Sequence, residues 1–251
     1  MSRYDIYNRE ERAICAHLFR LLHEKITENE KSALGLFLAQ LQKNRPDFRF
    51  PSWRYENVGV FCEVAIIRDV FQNLKPSVNE FMDSLTKLIM IQEGIQSCRL
   101  YSELPEILNN PKLTHPKQIR QKAATEGIEF TQNESKVYGA MQGMFNAKPD
   151  LVITIDNILL VFEAKFTESF DDEQLKRTKN ISEIWSNLLF RDFGFSEKPE
   201  YLVIKLGSSR YGADISWAEI LEIAKGVYNE SDRSFIVLKH GVTLLQKYNL
   251  I

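Results

Sequence analysis

The chain predicts an α/β fold: a mixed β-sheet core flanked by helices, with a mainly helical region on its N-terminal side. Three observations carry that expectation. Apolar residues recur at helical spacing through the first part of the chain. After Lys122 the pattern changes to helices alternating with short β-rich runs, an order that layers helices on a sheet. Across all 251 residues, 44% hydrophobic and 26% charged content is that of an ordinary globular chain able to bury a sizeable core. The division is expected near residue 110. That gives a helical region 1–110, for recognition, dimerisation or regulation, and a core domain 111–251.

The elements follow in order. Asn8 followed by Glu11 resembles a capping box, and Ile14, Leu18, Leu21, Leu22 and Ile26 then recur on one helical face. A second helix is expected over 31–42, ended by Asn44-Arg45-Pro46. Residues 58–71 are largely apolar, and a helix is favoured there over a buried strand. Pro76 breaks the chain, and Phe81, Leu85, Leu88, Ile89 and Ile95 mark another helix. The stretch 101–122, with Pro105, Pro111, Pro116 and Asn109-Asn110, reads as loop. A helix over 133–145 comes next, then strands over 150–155 and 158–165 about Asp156-Asn157. The helix expected over 171–190 has Ile181, Ile184, Trp185, Leu188 and Leu189 as its apolar stripe. A strand at 201–206 and a loop at 207–212 lead to a helix through Val227, started by the pair Ser216 and Glu219. A last strand pair, 234–238 and 242–246, is expected about His240-Gly241.

Several function classes drop out. With 32 basic and 34 acidic residues the net charge is -2, which leaves room for a local basic groove and speaks against a simple electrostatic DNA binder. Cys15, Cys62 and Cys98 are too widely separated for a disulfide framework, and His17, His23, His115 and His240 show no zinc-ligand spacing. The opening MSRYDIYNREER lacks the apolar core of a secretory signal, and no apolar run reaches the roughly 20 residues that span a bilayer. The expectation is a soluble cytoplasmic protein with no membrane partner. There is no phosphate-binding glycine loop, no G-x-G-x-x-G after a strand, and no nucleophile elbow with a histidine partner.

The chemistry rests on hairpin register. If Asp156-Asn157 is a two-residue turn, Ile155 faces Ile158, and counting outward brings Asp150 opposite Glu163. Directly opposed residues share a face of the sheet, and Lys165, two positions on from Glu163, shares it too. Glu163 with Lys165 alone would read as a plain surface ion pair. Asp150 changes that, because facing carboxylates repel unless a counter-charge lies between them. Magnesium takes oxygen ligands and is commonly held by one or two carboxylates with phosphate or water in its other positions. A lysine beside it would orient or deprotonate the attacking water, or stabilise charge on a phosphate.

Lys148-Pro149-Asp150, an apolar hairpin, then Phe162-Glu163-Ala164-Lys165 resembles the signature of the PD-(D/E)xK nuclease superfamily, whose fold is restriction-endonuclease-like. The resemblance covers about residues 130–210 and leaves the N-terminal helices unexplained. It implies an αβββαβ core, whose first strand is not placed by the sequence, with Asp150 and Glu163 as ligands of magnesium or manganese and Lys165 as the catalytic lysine. Many members add a glutamate from a preceding helix. Glu134 is the nearest candidate for a ligand and catalytic acid, with Glu11 and Glu63 as weaker rivals; an acid in a first helical turn also simply suits the helix dipole. Some members carry a glutamine on the helix after the lysine strand, and Gln174 is so placed, seven positions before Ile181 on the inward stripe. An ordinary surface amide is the plain reading of the same residue.

Nucleic-acid contacts are sought among Lys176, Arg177 and Lys179 on the following helix, Arg210 in its glycine-bounded loop, and Lys117, Arg120 and Lys122 in the acid-free stretch before the core. Basic runs are usually solvated faces, and Asp171, Asp172 and Glu173 argue against a uniformly basic groove. The leading expectation is a metal-dependent endonuclease or exonuclease acting on DNA, in restriction or phage defence, with a homodimer where both strands are cut. The competing expectations are a non-catalytic nuclease-fold scaffold binding nucleic acid or a partner protein, and an effector nuclease regulated by a ligand.

Overall fold

Asp156 takes a left-handed backbone (φ 46°), which a short polar side chain tolerates, and turns the chain back on itself. On either side run β2 (Leu151–Ile155) and β3 (Ile158–Ala164), paired antiparallel from Ile155↔Ile158 to Leu151↔Phe162. This is the register that the two-residue turn requires. In the computed structural model of the chain the described residues are 11–24, 32–50, 57–74, 77–110, 112–113, 115–192 and 196–250. Asn8, Ile26 and Pro76 lie outside them.

Among the described residues the sheet has five strands in the order β1-β2-β3-β4-β5 and is mixed, so the fold is α/β. Strand β1 (Val58–Cys62) pairs antiparallel with β2, while β4 (Glu200–Gly207) runs parallel to β3, and β5 (Ile215–Ser216) runs parallel to β4. All seven residues of β3 are buried, as expected of a strand covered on both faces. Leu151, Ile153 and Ile155 share one face with Leu160, Phe162 and Ala164. On that face α1 (Glu11–Glu24), α2 (Ala33–Asn44), α8 (Trp217–Val227) and α9 (Arg233–Lys247) close a single core. Phe37 of α2 meets Phe162 at 5.8 Å between ring centres. Glu163 points to the opposite face, with Val152 and Val161.

Two compact units result. One comprises Met1–Val64, Pro149–Lys179 and Glu200–Ile251, and holds the whole sheet. The other comprises Ala65–Lys148 and Asn180–Pro199. It contains α3 (Ile66–Leu74), α4 (Val78–Glu93), α5 (Pro116–Thr125), α6 (Gln132–Asn146) and the C-terminal part of α7 (Asp172–Asp192). Phe81 is the centre of an aromatic cluster there, 5.0 Å from Phe71 and 6.4 Å from Phe145. The expected division at residue 110 falls inside this second unit, because pairing with β2 draws β1 and the helices before it into the sheet unit. Among the described residues no helix is long and apolar enough to cross a membrane.

Three of the longer segments differ from the sequence expectation. Residues 58–71, expected as one helix, split into β1 and the start of α3. The stretch 101–122, expected as loop, contains a 3-10 turn at Tyr101–Glu103 and most of α5. His115 caps α5 by accepting the Lys117 N–H, Pro116 opens it, and Ile119 and Ala123 supply a narrow buried stripe. The last expected strand pair is the single helix α9, capped by Asp232. Its buried Phe235, Leu238, Val242 and Leu245 are spaced three, four and three apart, a helical period. Gly241, read as a turn, serves close packing instead: a Cβ there would lie 3.2 Å from Ile14 Cδ1 of α1.

Candidate active site

The site is built at one end of the β2–β3 hairpin. Asp150 lies one step beyond the Leu151↔Phe162 pair and so stands opposite Glu163. One carboxylate oxygen of Asp150, Oδ2, accepts the Ala164 N–H at 2.9 Å. Its carbonyl accepts from the Glu63 N–H and the Cys62 thiol, each at 3.3 Å. Asp150 is therefore clasped by the strands on both sides. Glu63, next in register on that flank, leaves β1 in a left-handed conformation (φ 51°).

Glu163 is only 6% exposed. Its Oε1 accepts from the Gln174 amide and lies 3.5 Å from Lys165 Nζ, while Oε2 accepts the Thr178 hydroxyl at 3.2 Å. Burial pushes the Glu163 carboxyl above the ordinary glutamate range, and the charge of Asp150 adds to the rise; Lys165 opposes it. A buried carboxyl facing a second acid, with Lys165 Nζ 3.5 Å from it, forms a site prepared for additional positive charge.

Lys165 has a rigid mount. Its N–H donates to the Leu206 carbonyl at 2.8 Å, and its own carbonyl accepts the Trp217 indole N–H at 2.9 Å. Gly207 permits the close approach of β4: a Cβ there would lie 3.0 Å from that same Lys165 carbonyl and 2.9 Å from the Phe170 ring. The side chain of Lys165 is 12% exposed.

Of the residues expected from the sequence, Asp150, Glu163, Lys165 and Gln174 come together. Thr178 was not among them. It lies one turn after Gln174 on the same face of α7, and that i, i+4 spacing is the signal that could have found it. Lys205 was also missed: it is paired with Glu163 in the parallel β3–β4 register, which no local pattern reveals.

Glu134 belongs to the second unit and has a complete set of structural partners. It closes the capping box of α6 with Thr131, and it forms a two-point ion pair with Arg99, whose Nη2 donates to Oε2 at 2.9 Å. Arg99 holds its carboxyl down to about 2, against the opposing effect of burial. Lys117, Arg120 and Lys122 lie on α5 in that unit. Arg120 donates to Gln142, and Lys122 pairs with Glu126. Lys176, Arg177 and Lys179 are exposed on α7. Arg210 is exposed and donates to the Asn249 carbonyl at 2.8 Å. Asp171 accepts the Glu173 N–H, so the acids beside the site are also explained by the start of α7. The side chain of Glu11 lies outside the described residues.

Among the described residues no group of three His, Cys, Asp or Glu side chains is gathered for a metal, and the candidate ligands are the facing Asp150 and Glu163. That pair nevertheless fits a hard divalent cation. Magnesium is commonly bound through one or two carboxylates, the rest of its shell being water and substrate phosphate. No family model matches the chain, no curated protein matches it, and no solved structure matches its fold.

Proposed function

We propose that this protein is a metal-dependent nuclease that hydrolyses phosphodiester bonds, with DNA as substrate. One observation carries the reading: Asp150 and Glu163 oppose each other on adjacent strands, and Lys165 Nζ stands 3.5 Å from Glu163. The order of elements supports a restriction-endonuclease-like core of the PD-(D/E)xK kind. A helix precedes three antiparallel strands, and a helix then leads to a strand parallel to the third. The second unit enters this core as an insertion between β1 and β2 and at the end of α7.

In this reading Asp150 and Glu163 hold magnesium or manganese. The bound ion would supply Lewis acidity toward a phosphoryl oxygen. The chain's own residues do the rest. Gln174 and Thr178 hold the Glu163 carboxylate in a fixed orientation from the α7 side. Lys165, on its anchored backbone, presents an ammonium that stabilises charge growing on the phosphate oxygens. A setting in restriction or phage defence, in the cytoplasm, and a homodimer where both strands are cut complete the proposal.

Calorimetric titration with manganese separates this reading from a non-catalytic scaffold of the same fold. Wild type is expected to bind with a heat that Asp150→Asn abolishes. Identical titrations of the two proteins would favour the scaffold.

A further inference from the structure

Lys205 is a further cation placed beside this site. The register Glu163↔Lys205 sets the two residues next to each other on parallel strands. Their neighbours Phe162, Ala164, Ile204 and Leu206 all fill the core on one face, so Glu163 and Lys205 share the other. Neither nearby acid takes the Lys205 ammonium. Glu163 is paired with Lys165. Asp214 spends its carboxylate on the Lys205 backbone N–H (2.8 Å) and on Arg45 (3.2 Å). Among the described residues Lys205 has no ion pair.

The ammonium instead lies over the Phe170 ring, 5.7 Å from its centre, and 3.7 Å from where a Cβ on Gly212 would stand. Phe170 belongs to the segment between β3 and α7, and Gly212 closes the turn after β4. The charge is thus held at the strand ends where Lys165 also emerges. A ring face restrains a cation without neutralising it. A partly buried ammonium kept from carboxylates is arranged for an anion that arrives from outside.

We infer that Lys205 binds a phosphate oxygen of the nucleic-acid backbone alongside Asp150, Glu163 and Lys165, with Phe170 keeping its ammonium in place. The inference rests on the nuclease reading for the identity of the anion. Lys165 then serves the reacting phosphate, and Lys205 positions the strand.

The test measures binding of a labelled DNA oligonucleotide, as duplex and as single strand, to the full chain in chelator across a range of salt. Lys205→Met is expected to weaken binding roughly three- to tenfold and to reduce the slope of log K against log salt by about one. Lys205→Arg should restore both, and manganese affinity should not fall in either variant. With metal present, Lys205→Met should raise KM and leave kcat close to wild type. Should Lys205→Met melt early, Lys205→Gln repeats the comparison. A set of oligonucleotides carrying single neutral methylphosphonates adds a readout on unaltered protein: one linkage should weaken wild type and have no further effect on Lys205→Met. Equal affinity and equal salt slope for wild type and Lys205→Met would overturn the inference, as would failure of wild type to bind either oligonucleotide. The two readings fail separately. Lys205-dependent binding without metal-dependent cleavage removes the nuclease, and cleavage with a silent Lys205 removes only the phosphate contact.

Discussion

Burial, the facing Asp150 and the neighbouring Lys165 act on the Glu163 carboxyl in opposite senses, and burial is the largest of the three. The folded state holds this proton more tightly than the unfolded chain does. Above the ordinary glutamate value the unfolded state ionises first, so stability falls as pH rises toward the raised folded value. Below the ordinary value both states are protonated and the cost vanishes. Glu163→Gln removes the ionisation and keeps one acceptor for Thr178. In chelator the variant should match wild type near about pH 4 and exceed it at neutral pH by about 0.5–1 kcal/mol, the scale of a relieved like-charge pair. Urea unfolding at a series of pH values checks this. Magnesium should raise the melting temperature of wild type and leave that of the variant unchanged. A variant less stable than wild type at neutral pH would mean that the Gln174, Thr178 and Lys165 contacts outweigh the burial of charge.

Strand β4 reaches the site only because it ends on glycine. An alanine at position 207 would press on the Phe170 ring, which can swing, and on the Lys165 carbonyl, which Trp217 holds. The strain therefore passes to the backbone that carries Lys165. Gly207→Ala should still fold, lose about 1–3 kcal/mol of stability, and cleave at least tenfold more slowly, since a shift of about 1 Å in a catalytic group can cost a hundredfold. Wild-type rates in a folded Gly207→Ala protein would show that the mount of Lys165 does not matter. The elements around this contact differ in how plainly the sequence announces them. The β2–β3 hairpin has an Asp-Asn turn between β-branched runs, and α8 has its Ser216–Glu219 capping box, so each is legible from local chemistry. Helix α9 is not, because Val237, Val242 and a mid-helix glycine imitate strands and a turn. Their helical spacing shows only when Phe235, Leu238, Val242 and Leu245 are taken together. Helix α5 carries too few apolar residues to advertise itself, and β1 is too short.

On the scale of the whole chain, the strand that completes the sheet is separated from its partner by more than eighty residues that fold into their own unit. Sequence continuity pointed to a boundary at residue 110, whereas long-range pairing sets the division. The candidate site was legible because its three central residues lie on one hairpin, where register follows from the turn. Lys205 was hidden because parallel pairing depends on how α7 returns the chain, and Thr178 because a buried threonine looks like any other helix residue. With 32 basic and 34 acidic residues the chain has almost no net charge to draw in a polyanion, so the proposed nucleic-acid binding relies on locally placed cations. The most direct test of the account is a cleavage panel with magnesium or manganese on plasmid, linear duplex and single-stranded substrates, DNA and RNA, comparing wild type with Lys165→Ala. The account predicts metal-dependent cleavage of DNA by wild type and loss of it in a Lys165→Ala protein that remains folded. Absence of cleavage by wild type on every substrate, or the same cleavage by Lys165→Ala, would contradict it.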